Sequence, residues 1–393
     1  MSQLDQVRSA VEAARSELVT LSHFVHAHPE MGYEEFESSA AVANALEAAG
    51  FTVERGIAGL DTAFRATKGS GALTIAFCAE FDALPDVGHA CGHNIIAASS
   101  VGAGFGLAAV ADELDLTVVV LGTPSEEGGG GKIDLINAGY FEPVHAALML
   151  HPWPGDHASG VFSDRERGAC LAVDQFDVVF HGKEAHASAA PWEGVNALDA
   201  LTISQVAIGL LRQQLTPGDQ VHLIVVEGGS AANIIPHHVV ARVMVRSTTL
   251  EKLNVLRNRV NACFEAGALA TGATMEMTLI GHTFSHMETD PDLIAHYRQA
   301  AEGLGRSFVL DDQGAPIPTF STDMANVSLV VPSIHPLLGI PTHGAVNHQP
   351  EFTAACITAE ADQAMLDGAI ALAQGAALSA ADEVLRARLL GVK

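Results

Sequence analysis

The chain has 393 residues, 48% of them hydrophobic, with 46 Asp and Glu against 20 Lys and Arg; its net charge is −26 and it carries 19 histidines. At roughly 150 residues per domain this length provides for two or three domains, each with a full core. An acidic surface repels phosphate backbones, and no Lys/Arg stripe offsets it, so nucleic acid and anionic membrane are set aside as partners. Histidine, a common metal ligand and a near-neutral acid or base, is almost as abundant as the fixed cations, which makes its clustering worth following.

The opening residues, MSQLDQVRSAVEAARSELVTL, place apolar side chains near Leu4, Val7, Val11, Ala14 and Leu18, the period of an amphipathic helix reaching about His26. No basic n-region is present there, and a cytoplasmic protein is expected. A second helix is expected over 34–50, followed by β-rich runs at 51–54, 63–67 and 73–79. Residues 94–111 lack charge and are mainly Ala, Gly and Ser, which reads as a buried helix. A strand at 116–121, a short helix at 132–138 and a strand at 146–151 follow. Such alternation predicts helices packed on a mostly parallel sheet.

After about Gly168 the texture changes. Runs at 171–181, 221–227, 238–247 and 274–280 are β-like, and 197–215 and 250–268 are helical, giving a β-α-β-β-α-β order. From about Thr289 the alternation resumes and ends in Ala-rich helices after Ala354. The fold class expected is therefore α/β: a mostly parallel-sheet catalytic domain formed by 1–170 and 288–393, with an inserted α+β domain at 171–287. The uncharged stretches 94–111 and 324–350 do not supply the roughly 20 unbroken, strongly apolar residues of a membrane span. Five scattered cysteines (Cys78, Cys91, Cys170, Cys263, Cys356) do not form a disulfide framework.

Polar chemistry gathers where apolar strands end. AEFDALPDVGHACGHN follows the run at 73–79 and carries His89, Cys91 and His93, with Gly88 and Gly92 to bend the chain. Residues beyond the carboxyl end of a strand line the ligand crevice of an α/β sheet, and thiolate with imidazole suits zinc or a similar metal; a buried cysteine beside loop histidines would look the same. TVVVLGTPSEEGGGGK places Glu126 and Glu127 at the next strand end, where one carboxylate can bind metal and its neighbour act as a base; an exposed acidic turn is the alternative. A phosphate-loop reading fails, since Glu126 and Ile133 stand where Gly and Ser or Thr are required. The strand at 146–151 ends in His151, and either His343 or His348 in THGAVNHQPEF could complete the cluster.

GHACGHN, PSEEGGGGK, HPWP, GKEAHASAAPWEGVNALDAL, ANIIP, FSTDMANVS and NHQPEF together resemble the dinuclear metallopeptidases of the aminoacylase/carboxypeptidase-G family. Within it the chain is most similar to the amidohydrolase branch of hippurate and auxin-conjugate hydrolases, and Asn94 after Cys-Gly-His resembles the p-aminobenzoyl-glutamate hydrolase and β-alanyl-lysine dipeptidase subgroup. The motifs run in family order from His28 to His348, nearly the whole chain.

The resemblance implies two divalent ions, zinc foremost with manganese or cobalt possible, held by Cys91, His93, Glu127, His151 and His348, with Glu126 as general base. His348 is preferred to His343 because its His-x-x-x-Phe context matches. It further implies a homodimer mediated by the inserted domain, an oxyanion-stabilising His186 reaching the neighbouring protomer's site, and substrate contacts from Asn233 and Arg246. The expected reaction is hydrolysis of a small N-acyl amino acid or dipeptide. Two other readings are a catalytically silent metal-binding or sensing protein and a hydrolase using Cys91 as nucleophile, which gives the paired glutamates no role.

Overall fold

The computed structural model describes residues 1–155, 159–160, 170–308 and 320–391. The chain separates into two units, one of Met1–Ala169, Met287–Pro318 and Thr322–Lys393, the other of Cys170–His286 and Thr319–Ser321. The change of texture expected near Gly168 lies outside the described residues.

In the first unit, the strands Leu73–Ala79 and Leu116–Gly122 are buried almost throughout, as β-branched and apolar runs are when helices cover both faces of a parallel pair. Among the described residues they form the centre of a six-stranded sheet in the order Thr52–Arg55, Phe64–Gly69, Leu116–Gly122, Leu73–Ala79, Ala146–Leu148, Ser333–Ile334. The first two junctions are antiparallel and the remaining three parallel, so the unit is α/β with a mostly parallel sheet.

The helix His93–Ala108 is buried along nearly its whole length and packs against Ala359–Ala381. Small residues allow that approach: a Cβ on Gly102 would lie 2.9 Å from both Ala369 Cβ and Leu18 Cδ1. Ala359–Ala381 is long and apolar enough to cross a membrane, but 83% of its most apolar window is buried inside the protein, as a core helix requires.

Two elements differ from the sequence-based expectation. The N-terminal helix breaks at Ala14 into Gln3–Ala13 and Arg15–Ala27. The strand expected over 146–151 leaves the main sheet after Leu148, and His151–Pro154 instead pairs in parallel with Leu337–Ile340. Pro152 and Pro154 have no N–H to donate, which suits a two-stranded pairing better than a place inside a large sheet.

The second unit realises the β-α-β-β-α-β order with Ala172–His181, Ala197–Leu211, Gln220–Glu227, His238–Ser247, Leu250–Thr271 and Thr274–Leu279. Its antiparallel sheet runs Thr274–Leu279, Ala172–His181, His238–Ser247, Gln220–Glu227. Strict alternation along Ala172–His181 turns Phe176, Val178 and Phe180 into the core, where they meet Leu201, Leu256, Val260 and Phe264 of the two helices. Asn196 and Thr249 cap those helices by accepting backbone N–H groups.

Candidate metal centre

The parallel strands of the first unit deliver their chemistry at one end. Glu80 and Asp82 follow Leu73–Ala79, and the same loop continues through Cys91 to His93 at the start of the helix His93–Ala108. The turn into that helix requires glycine: Gly92 has φ +75°, and a Cβ there would meet Pro152 Cγ at 2.9 Å. Glu126 and Glu127 follow Leu116–Gly122, His151 opens its own strand, and His348 precedes the helix Pro350–Ala355.

All five expected ligands converge. Cys91, His93 and His151 offer ligand atoms within 4.8 Å of one another, and so do Cys91, Glu127 and His348; Cys91 is common to both groups. His348 Nε2 lies 3.1 Å from Cys91 Sγ, whereas His343 is in neither group. Positive φ at His348 (70°) and Ser125 (59°) marks backbone held in the left-handed region beside this cluster.

A surrounding shell aims the ligands. His93 Nδ1 is 3.0 Å from Asp82 Oδ1 and His151 Nδ1 is 2.7 Å from the Pro152 carbonyl, so each Nδ1–H donates outward and leaves Nε2 as the ligand atom. Asp82 Oδ2 also accepts the Glu127 N–H at 2.9 Å, tying the two loops together. Lys132, fully buried, bonds Glu80 Oε1 and, at 2.6 Å, Asp323 Oδ1. Glu35, Glu80, Asp82, Lys132 and Asp323 have no role in the sequence-based expectation. Glu80 and Asp82 stood beside the expected ligands, but nothing local distinguished a buried acid from one facing water.

The electrostatics are those of buried acids crowded together. Burial, then Glu80 and Glu127, push the Glu126 carboxyl well above its ordinary range, and burial with Glu127 raises the Cys91 thiol. Burial lowers His151 to about 4, aided by His93, so the imidazole is neutral and able to ligate. His93 Nε2 and Glu127 Oε1 are buried without hydrogen-bond partners. Thiolate, imidazole and carboxylate together suit a borderline divalent ion, and such charge reverses the forces that favour protonation here. The residues present therefore fit two divalent metal ions sharing Cys91.

The second unit carries His186, Asn233 and Arg246. An isolated β-bridge joins His186 to Ile234, and the Ala187 N–H donates to the Asn233 carbonyl at 3.0 Å, so His186 and Asn233 lie on adjoining segments. Their chain neighbours Ala187, Ala232 and Ile234 help line a pocket of about 440 Å³, but His186 and Asn233 are not among its lining residues. Arg246 is half-buried on His238–Ser247, where its Nη1 donates to Ser321 Oγ at 2.8 Å.

Residues 70–367 match the model of peptidase family M20/M25/M40. The chain is 38% identical to an Xaa-Arg dipeptidase of Mus musculus, over 97% of this chain and 88% of that protein. It is 31% identical to one subunit of the p-aminobenzoyl-glutamate hydrolase of Escherichia coli K12, over 69% of this chain and 59% of that one. Among solved structures, a dinuclear metal binding peptidase of Bacillus subtilis covers 93% of this chain and 98% of its own with a TM-score of 0.72 at 23% identity, a likeness of fold.

Proposed function

Given that the chain belongs to peptidase family M20/M25/M40 and is a hydrolase, we propose that it cleaves the amide bond of a small dipeptide or N-acyl amino acid at the Cys91-centred site. The observation that carries this reading is the position of Glu126: buried, 3.9 Å from His93 Nε2, and outside both groups that share Cys91. A carboxylate beside the ligands and outside the two groups that share Cys91 has the position of a general base.

Cys91, His93 and His151 would hold one divalent ion and Cys91, Glu127 and His348 the other. When bound, two such ions lower the pKa of water and polarise a carbonyl. Glu126 accepts the proton of the attacking water and passes it to the leaving nitrogen. Asp82 and the Pro152 carbonyl keep His93 and His151 in the ligating tautomer throughout. His186 donates to the developing oxyanion, and Asn233 and Arg246 contact the substrate. Zinc is the proposed ion, with manganese or cobalt compatible with the same ligands.

Assembly as a homodimer through the second unit is part of the proposal. It is supported by the edge strand Gln220–Glu227, which exposes Ile224, Val225 and Val226, and by Ile203, Val206 and Leu210 on the outer face of Ala197–Leu211. A Cys91 nucleophile is disfavoured because burial raises its thiol instead of activating it.

The test is a hydrolysis screen of the metal-reconstituted protein over N-acyl amino acids and dipeptides, Xaa-Arg dipeptides and p-aminobenzoyl-glutamate included. Cleavage of members of one of these classes is expected. Protein that binds two ions per chain yet cleaves none overturns the catalytic reading.

A further inference from the structure

Glu80 is a buried acid of this cluster whose placement the proposed chemistry leaves unused. It is fully buried immediately after Leu73–Ala79. Its Oε1 is bonded by Lys132 Nζ, which is itself anchored by both carboxylate oxygens of Asp323, through Nζ at 2.6 Å and through its backbone N–H at 3.0 Å. Its Oε2 has no hydrogen-bond partner and lies 3.6 Å from His93 Nε2. His93 Nδ1 donates to Asp82, which leaves Nε2 as the position for a proton or a metal ion. Two buried polar atoms without a hydrogen-bond partner therefore face each other, an arrangement that is costly unless a proton or a metal ion lies between or beside them.

Glu80, His93 and Glu126 also bring ligand atoms within 4.8 Å of one another. His93 thus belongs to this group as well as to the Cys91 and His151 group. We propose that Glu80 Oε2 is a further ligand of the ion held by His93, fixed in place by the Lys132–Asp323 pair. Three protein ligands from Cys91, His93 and His151 would then become four. Lys132 is a positioning residue: it occupies Oε1, so that Glu80 presents a single oxygen, and it keeps that oxygen on the His93 side. The inference rests on the proposal that the site binds divalent metal.

The experiment loads full-length protein with Co(II) and compares wild type, Glu80→Gln and Glu80→Asp. Metal stoichiometry, competition affinity and the visible ligand-field spectrum are recorded, with melting of the metal-free proteins as the control for folding. Glu80→Asp keeps a charge opposite Lys132 but withdraws the oxygen, so it serves if the amide variant does not fold. One of the two ions is expected to bind about tenfold or more weakly, with the other unchanged. The ligand-field bands of the weakened ion should intensify as its coordination number falls by one. A folded variant with wild-type affinities and an unaltered spectrum overturns the assignment of Glu80. Wild-type protein that takes up no ion overturns the metal reading itself, and this inference with it.

Discussion

The carboxylate of Glu35 accepts the backbone N–H of Ser125 at 2.8 Å, so a residue 90 positions earlier fixes the peptide just before Glu126. Its second oxygen accepts the Thr62 hydroxyl, also at 2.8 Å. Burial, reinforced by Asp82, raises this carboxyl from 4.5 to about 7. A group whose folded pKa lies above its unfolded one contributes its full stability below the unfolded value and loses it as pH rises through the folded value. Wild-type protein should therefore lose up to about 3 kcal/mol relative to Glu35→Gln between the two pKa values. Denaturant melts of both proteins from pH 4.5 to 8 measure the difference, and parallel stability curves would refute it.

Glu126→Gln should keep both ions and lose turnover by a factor of about 10² to 10⁴. Elemental analysis and steady-state kinetics on the same preparation check both halves. Unimpaired turnover would remove Glu126 from the reaction.

Because Cys91 belongs to both ligand groups, Cys91→Ala should lose both ions, whereas His151→Ala and His348→Ala should each lose a different one. Chelation should abolish activity and metal re-addition restore it. Activity that survives full removal of metal would favour a thiol mechanism.

Lys132 is the cation between two buried carboxylates, Glu80 and Asp323. Lys132→Met strands both and should cost about 3–5 kcal/mol in a urea melt. Restoring neutrality with Glu80→Gln and Asp323→Asn in the same chain should recover much of that loss. A single variant as stable as wild type would show that the pair does not govern this part of the fold.

Val225→Glu, at an exposed position of the edge strand Gln220–Glu227, should dissociate the proposed dimer, as read by sedimentation velocity. If His186 acts across the interface, activity should fall with the dimer fraction and recover at high protein concentration. Wild-type protein sedimenting as a monomer at all concentrations would exclude that arrangement.

Much of this was legible in the chain itself. The apolar run at 73–79, the small-residue helix that follows and the β-α-β-β-α-β order of the second unit all emerge as local periodicity, and they form the strands and helices expected. The N-terminal break at Ala14 and the departure of His151–Pro154 from the main sheet were not legible, because both depend on what each segment packs or pairs against. The prolines at 152 and 154 were visible, but not the partner strand Leu337–Ile340 that accepts them.

By itself the sequence determined the fold class, the strand ends where polar chemistry would collect, and the residue types able to hold metal, since each is set by neighbours within a few positions. The resemblance already implied Cys91 and His348 as ligands, and the tertiary structure brings them into the same group; only the tertiary structure decided that Glu35, Asp82, Glu80 and Lys132 brace the cluster. The reason is physical: a pattern along the chain fixes which face a side chain takes, but the distance between residues 91 and 348, or 35 and 125, exists only once the sheet and its helices have closed around a common core.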